Sequence, residues 1–183
     1  MSTIAIVGDG PGGLSAALFL AKNGHSVTVH GDDNTAMHYA YLHNYLGIPE
    51  IAGSDFQDIA RRQVEAYGAS LRAGRVVAAE AGDDGVRLTL DDGTTMEADY
   101  LLLSEGKKPE LAESMGVALA DGAVVVDADQ RTSLPRVYAV GRSTRPSRSQ
   151  AIISAGAGAA AALDILAREA GEDVQDWDTP PKD

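Results

Sequence analysis

Ile4-Ala5-Ile6-Val7-Gly8-Asp9-Gly10-Pro11-Gly12-Gly13-Leu14-Ser15-Ala16-Ala17 decides how this chain folds. An apolar run suited to a buried strand enters a glycine turn, and the turn opens an alanine-rich helix. A second strand, Ser26-Val27-Thr28-Val29, follows where a βαβ unit closes. Gly8 suits the tight turn, and Gly10 has no side chain to hold a pyrophosphate off the backbone. Gly13 lets the helix lie close on the strand. Pro11 and Gly12 complete the turn, and the free N–H groups and positive dipole end of the helix face the place where phosphates would lie.

Working outward, the pattern predicts a strand at Thr3–Val7, a helix at Gly12–Asn23 and a strand at Ser26–His30. Residues 31–52 form a polar and aromatic connection without a clear period. A helix is expected over Ser54–Tyr67, with Ser54 as N-cap and Gly68 as stop. Strands at 70–80, 86–90 and 94–98, separated by Gly82-Asp83-Asp84-Gly85 and Asp91-Asp92-Gly93, read as a β-meander. Tyr100–Leu103 is a buried strand ending at Ser104-Glu105-Gly106, and Lys107–Met115 a short helical connection. Val124–Val126 and Val137–Val140 are further strands, and Ser149–Ala170 is a long Ala- and Gly-rich helix that must pack closely. The expected fold is α/β, a Rossmann-like FAD/NAD(P)-binding domain with a parallel sheet, a β-meander and flanking helices. Residues 1–171 form one such domain, and residues 172–183 an acidic, flexible C-terminal tail.

The chain has 183 residues, 44% of them hydrophobic, enough for a substantial core. It carries no apolar run that reads as a membrane span, and no basic stretch precedes the first strand, so the expected location is cytoplasmic. A net charge of −12 argues against nucleic acid and anionic membranes as partners. Lysine appears only at positions 22, 107, 108 and 182. Such a surface suits a high-salt cytoplasm, and equally an ordinary acidic protein. The chain has no cysteine, which excludes disulfides, a CxxC redox pair, thiolate metal sites and a cysteine nucleophile.

The order of elements resembles the flavin domain of thioredoxin reductase-like flavoproteins, within the pyridine nucleotide-disulfide oxidoreductase superfamily. Four segments carry the resemblance over residues 3–170: Gly8–Ala17, Asn44-Tyr45-Leu46-Gly47-Ile48-Pro49, Tyr67-Gly68-Ala69 with the following strand to Val77, and Thr132-Ser133-Leu134-Pro135-Arg136-Val137-Tyr138-Ala139-Val140-Gly141 with Ser149-Gln150-Ala151. The resemblance implies FAD as cofactor, with Asn44 beside the flavin, Val77 at the adenine, and Gly106, Gly141, Gln150 and Ala151 near the pyrophosphate, ribityl chain and pyrimidine edge. It also implies a homodimer. The family's central NAD(P)H domain is missing here, because Leu103-Ser104-Glu105-Gly106 runs almost directly into Lys107–Val126.

The chain departs from the family pattern at three places. His30 stands where an acidic residue holds the adenosine ribose, with Asp32 and Asp33 as candidates to replace it. Arg142 stands where an aspartate bonds the ribityl chain; a guanidinium accepts no hydrogen bond and brings positive charge toward the pyrophosphate. The absence of CxxC excludes the family's usual route to thioredoxin. Arg142, Arg145 and Arg148 form a candidate anion site, the alternative being a solvated loop. His25, His30, His38 and His43 lie at spacings that do not suggest a metal site. Trp177 is a candidate to stack on the flavin, the alternative being a free tail.

These residues point to a small FAD-binding oxidoreductase or electron-transfer protein, reduced by free NAD(P)H, a partner protein or a bound substrate. No residue presents itself as a catalytic acid, base or nucleophile. A non-catalytic nucleotide-binding module or sensor, with a degenerate FAD site or one that takes another adenine dinucleotide, and one subunit of a split reductase remain open as alternatives.

Overall fold

The computed structural model describes residues 1–180; the end of the tail, including Pro181 and Lys182, lies outside the described residues. In chain order the elements begin with β1 (Thr3–Val7), α1 (Pro11–Lys22) and β2 (Ser26–His30). A two-residue ladder of β3 (Tyr41–Leu42) with β4 (Ile51–Ala52) precedes α2 (Gly53–Ala66). Then come β5 (Ser70–Arg72), β6 (Val76–Ala81), β7 (Val86–Leu90), β8 (Thr95–Ala98), β9 (Tyr100–Leu103) and α3 (Glu110–Ser114). The chain closes with β10 (Leu119–Ala120), β11 (Ala123–Val124), β12 (Val137–Ala139) and α4 (Ala151–Ala170).

Five strands make a parallel sheet in the order β12–β9–β1–β2–β5. Alternate residues along each central strand face opposite layers. Ile4, Ile6, Leu102 and Tyr138 pack beneath the helices with Leu14, Leu20, Ala161 and Ile165. Ala5, Leu101, Leu103, Val137 and Ala139 pack on the other face against Val76, Val86, Leu88 and Ala98 of the antiparallel β6–β7–β8 meander. The central strands are covered on both faces, which is why β1, β9 and β12 read as near-continuous apolar runs.

Helices α1 and α4 touch backbone to backbone: a Cβ at Gly158 would overlap the carbonyl oxygen of Gly12. By length and composition α4 is apolar enough to cross a membrane, contrary to the sequence expectation of no such run. Its apolar residues have a use in this fold, since Ala161, Ala162, Ile165 and Leu166 are buried in the core.

Three local expectations change. Ser54 does not cap α2; the helix starts at Gly53 after Ala52, with no side-chain cap. Tertiary packing sets that start: Gly53 N–H donates to the Ala40 carbonyl at 2.9 Å, and a Cβ on Gly53 would overlap the Met37 carbonyl. The expected strand 70–80 is two strands in two sheets, because Gly74, at φ +118°, turns the chain out of the parallel sheet after β5. The final helix starts at Ala151 rather than Ser149, whose hydroxyl instead lies 3.2 Å from that of Ser154.

Candidate functional site

The turn after β1 is built around backbone approach. Gly8 adopts φ +100°, and a Cβ there would overlap the Ser104 carbonyl at the end of β9. A Cβ on Gly13 would overlap the Gly8 carbonyl, and one on Gly12 would stand 2.9 Å from Val140 Cγ2. These three glycines serve the protein's own packing. Gly10 does not: the nearest atom to a Cβ there is Thr35 Oγ1 at 3.5 Å, an ordinary contact. Glycine at position 10 therefore keeps space open on the outer side of the turn.

That space is a cavity of about 520 Å³ at the C-terminal edge of the sheet. Two helices begin at it. Helix α1 opens at Gly10 and α4 at Gln150, and neither has a side-chain cap. Pro11 has no N–H, and the first intrahelical bonds are Leu14 N–H to Gly10 O and Ser154 N–H to Gln150 O. The leading N–H groups of both helices are thus left for something other than the helix itself.

Gly8, Gly10, Pro11, Gly12, Gly106, Gly141, Arg142, Gln150 and Ala151 all line this cavity. Gly13 is buried behind the turn. Asn44 lies outside the lining, but its Nδ2 donates to Gln150 Oε1 at 3.1 Å and ties the 31–52 connection to the start of α4. His30 and Val77 line a second cavity of about 530 Å³, which shares Gly8 and Glu105 with the first. Sites more than a hundred residues apart in sequence therefore line two adjacent cavities that meet at Gly8 and Glu105.

His30 is buried, its Nε2 is 3.2 Å from Met96 Sδ, and its Nδ1 has no partner among the described residues. Burial, with the charge of Arg72 adding to it, holds this imidazole below the usual histidine pKa, so it is neutral at pH 7. Asp32 and Asp33 are engaged: Asp32 Oδ1 accepts from Gly74 N–H at 3.1 Å, and Asp33 Oδ1 accepts from Gln57 Nε2 at 3.2 Å. Glu105 caps α3 through the N–H groups of Leu111 (2.6 Å) and Ala112 (3.0 Å). Burial nonetheless pushes its carboxyl above the ordinary glutamate value.

The three arginines do not converge. Arg142 lines the cavity, while Arg145 and Arg148 are exposed outside its lining. The histidines also diverge: His25 accepts from Ser2 N–H, His30 meets Met96, His38 meets Asp33, and His43 faces Glu50. Trp177 is 84% exposed; its neighbours Asp176 and Asp178 pair with Lys22 at the end of α1 remote from the glycine turn.

Sequence reasoning missed Asp9, Gln57 and Arg61. Asp9 is buried inside the turn, where its carboxylate pairs with Arg61 and accepts from Asp33 N–H at 3.0 Å. Gln57 Nε2 donates to the Asp9 carbonyl at 2.7 Å. The spacing shows only that Gln57 and Arg61, four apart, share one face of α2; that this face meets Asp9 is set by the fold.

Residues 47–160 match the pyridine nucleotide-disulphide oxidoreductase family. The chain is 43% identical over 75 residues to the mycothione reductase of Mycobacterium tuberculosis, a match covering 39% of this chain and 16% of that protein. It is 35% identical over 136 residues to the NADH-dependent phenylglyoxylate dehydrogenase subunit epsilon of Aromatoleum evansii, covering 73% of this chain and 30% of that one. The chain thus spans less than a third of the length of these curated relatives. In fold it matches the atypical thioredoxin reductase TRi of Desulfovibrio vulgaris Hildenborough, with TM-score 0.83, 20% identity, and coverage of 94% of this chain and 99% of that one.

Proposed function

This chain belongs to the pyridine nucleotide-disulphide oxidoreductase family, and from that premise we propose that it is an FAD-binding oxidoreductase or electron-transfer flavoprotein. The observation that carries the reading is the pair of uncapped helix N-termini, α1 and α4, opening on one cavity. An extended ligand that is anionic at one point and electron-accepting at another would use both. Gly8–Gly13 and the start of α1 would hold its pyrophosphate, and Gln150 and Ala151 its flavin end. The cavity beside His30 and Val77 would hold its adenosine.

The residues present fit such a group. Gly10 leaves the required approach open, and two adjacent cavities sharing Gly8 and Glu105 suit the two halves of a dinucleotide. Bound there, the flavin supplies two-electron redox chemistry. The chain's own groups position and bias it. The N–H groups that open α1 neutralise phosphate charge, and the positive end of α4 favours electron density at the ring edge it faces. Arg142 adds a fixed positive charge to the cavity wall. Asp9, held by Arg61 and Gln57, stiffens the turn from behind.

A second reading, a nucleotide-binding module without redox function, is favoured by one observation. His30 has Nε2 on Met96 and Nδ1 buried without a partner among the described residues, so it does not offer a ribose the two charged acceptor oxygens of a carboxylate. Purified protein incubated with FAD and desalted separates the two. A retained flavin spectrum that bleaches anaerobically with NADH, NADPH or a reduced carrier protein supports the oxidoreductase. A folded protein that stays colourless supports the module.

A further inference from the structure

The chain has 27 acidic residues, yet none lies between Asp33 and Glu50 and none between Asp129 and Asp164. The fold joins these two acid-free segments through the Asn44–Gln150 hydrogen bond at the edge of the cavity. The second segment carries Arg142, Arg145 and Arg148 in the loop before α4, and Lys107 and Lys108 stand on the loop after β9. None of these five cations has an ion pair among the described residues. Most other cations do: Lys22, Arg61, Arg75, Arg87, Arg131 and Arg168 are all matched to carboxylates. The two carboxylates nearest in sequence to the lysine pair are both engaged elsewhere: Glu105 is turned inward onto α3 and Glu110 pairs with Arg75.

The two joined segments also expose large apolar side chains. Tyr41 is 55% exposed, Leu46 88% and Ile153 41%, and they stand on the two segments that the Asn44–Gln150 bond holds together. An apolar centre flanked by unpaired cations is the anatomy of a protein-docking face. A small anion would be met inside the cavity by Arg142. Arg145 and Arg148 lie exposed outside the cavity lining, so a ligand confined to the cavity leaves them unused.

We propose that this cavity mouth docks a strongly acidic protein, seated on Arg145, Arg148 and Lys107 around Tyr41, Leu46 and Ile153. That the partner is an electron carrier rests on the flavoprotein reading; the docking itself rests on charge and exposure. With a net charge of −12, the chain as a whole repels such a partner, so the face also fixes the orientation of approach.

The probe is an acidic [2Fe–2S] ferredoxin, with basic cytochrome c as the opposite-charge control. Affinity for the FAD-incubated protein is measured by calorimetry at rising salt, and flavin content by absorbance in the same samples. The expected result is saturable ferredoxin binding that weakens steeply with salt. Arg145→Glu with Arg148→Glu weakens it at least tenfold, Arg62→Glu on α2 changes it less than twofold, and flavin content stays constant throughout. Absence of ferredoxin binding, or an affinity indifferent to the double reversal, overturns the docking face while the flavin spectrum reports separately on the cofactor. Loss of flavin in the double variant assigns these arginines to the cofactor instead, and also overturns it. So does conversion of a dimer to a monomer by the double variant in sedimentation, which would make the face a contact between copies of the chain.

Discussion

A methyl group added at Gly8 and one added at Gly10 meet different surroundings. Gly8 has a positive φ and abuts the Ser104 carbonyl, so Gly8→Ala strains the backbone and opens the β1–β9 contact. The expected cost is about 3 kcal/mol or more, read as a fall in Tm. Gly10 has φ −73° and only Thr35 Oγ1 nearby. Gly10→Ala should leave stability within about 0.5 kcal/mol while weakening FAD binding by about tenfold or more, because the methyl occupies the approach to the turn. His30 supplies a pH dependence. Its folded pKa lies below the unfolded value, so the unfolded chain binds the proton first as pH falls. Its contribution is fully present above the unfolded pKa, about 6.5, and is lost as pH falls through the folded value. His30→Gln should flatten the decline in Tm between about pH 7 and 5, measured against the parent protein. The glycines were legible because their pattern is local. The burial of His30 under Met96 and the grip of Arg61 on Asp9 were not, because each joins residues from separate elements.

The central strands and the long final helix show what an apolar run reveals. Thr3–Val7, Ser26–His30 and Tyr100–Leu103 are strands with the bounds that the sequence predicts: burial on both faces makes the first and last near-continuous apolar runs, and the βαβ spacing locates the second. The stretch after Ala69 misled because Ser70–Arg72 and Val76–Ala81 lie only three residues apart and read as one strand, whereas the turn at Gly74 sends them to two sheets. Helix α4 offers a paired test. Gly158 lies against the Gly12 carbonyl, whereas a Cβ at Gly156 meets nothing within 4 Å. Gly158→Ala should therefore destabilise by about 1–3 kcal/mol as the helices part, and Gly156→Ala should stabilise by about 0.5–1 kcal/mol through helix propensity. Chemical denaturation of the two variants checks both signs. Farther along α4, Asp164 accepts from Tyr138 OH at 2.5 Å and from Arg131 Nε at 2.8 Å. Burial alone would push its carboxyl up, but these bonds outweigh it and hold the pKa below the ordinary aspartate value. Asp164→Ala should cost about 2–4 kcal/mol, since it leaves the Tyr138 hydroxyl and part of the Arg131 guanidinium without a partner.

Across the whole molecule, charge and cavity placement set behaviour. A net charge of −12 destabilises the compact state by self-repulsion, so Tm should rise as potassium chloride is raised from low to molar concentration. A flat or falling Tm would show that ion pairs such as Arg61–Asp9 and Arg131–Asp164 outweigh that repulsion. The total charge was legible from composition. Its distribution was not, because the acid-free segments meet only through the Asn44–Gln150 contact of the folded chain. The same holds for the first cavity: the sequence located two parts of its wall, at Gly8–Gly13 and Gln150–Ala151, and the fold brings them to one edge of the parallel sheet. The most direct measurement is an equilibrium titration of FAD into the purified protein, followed by quenching of flavin fluorescence, with Gly10→Ala alongside. One FAD bound per chain, with affinity reduced about tenfold or more in the folded variant, is the predicted result. No saturable binding by a folded parent protein, or equal affinity in the variant, would contradict a cofactor held on the glycine turn.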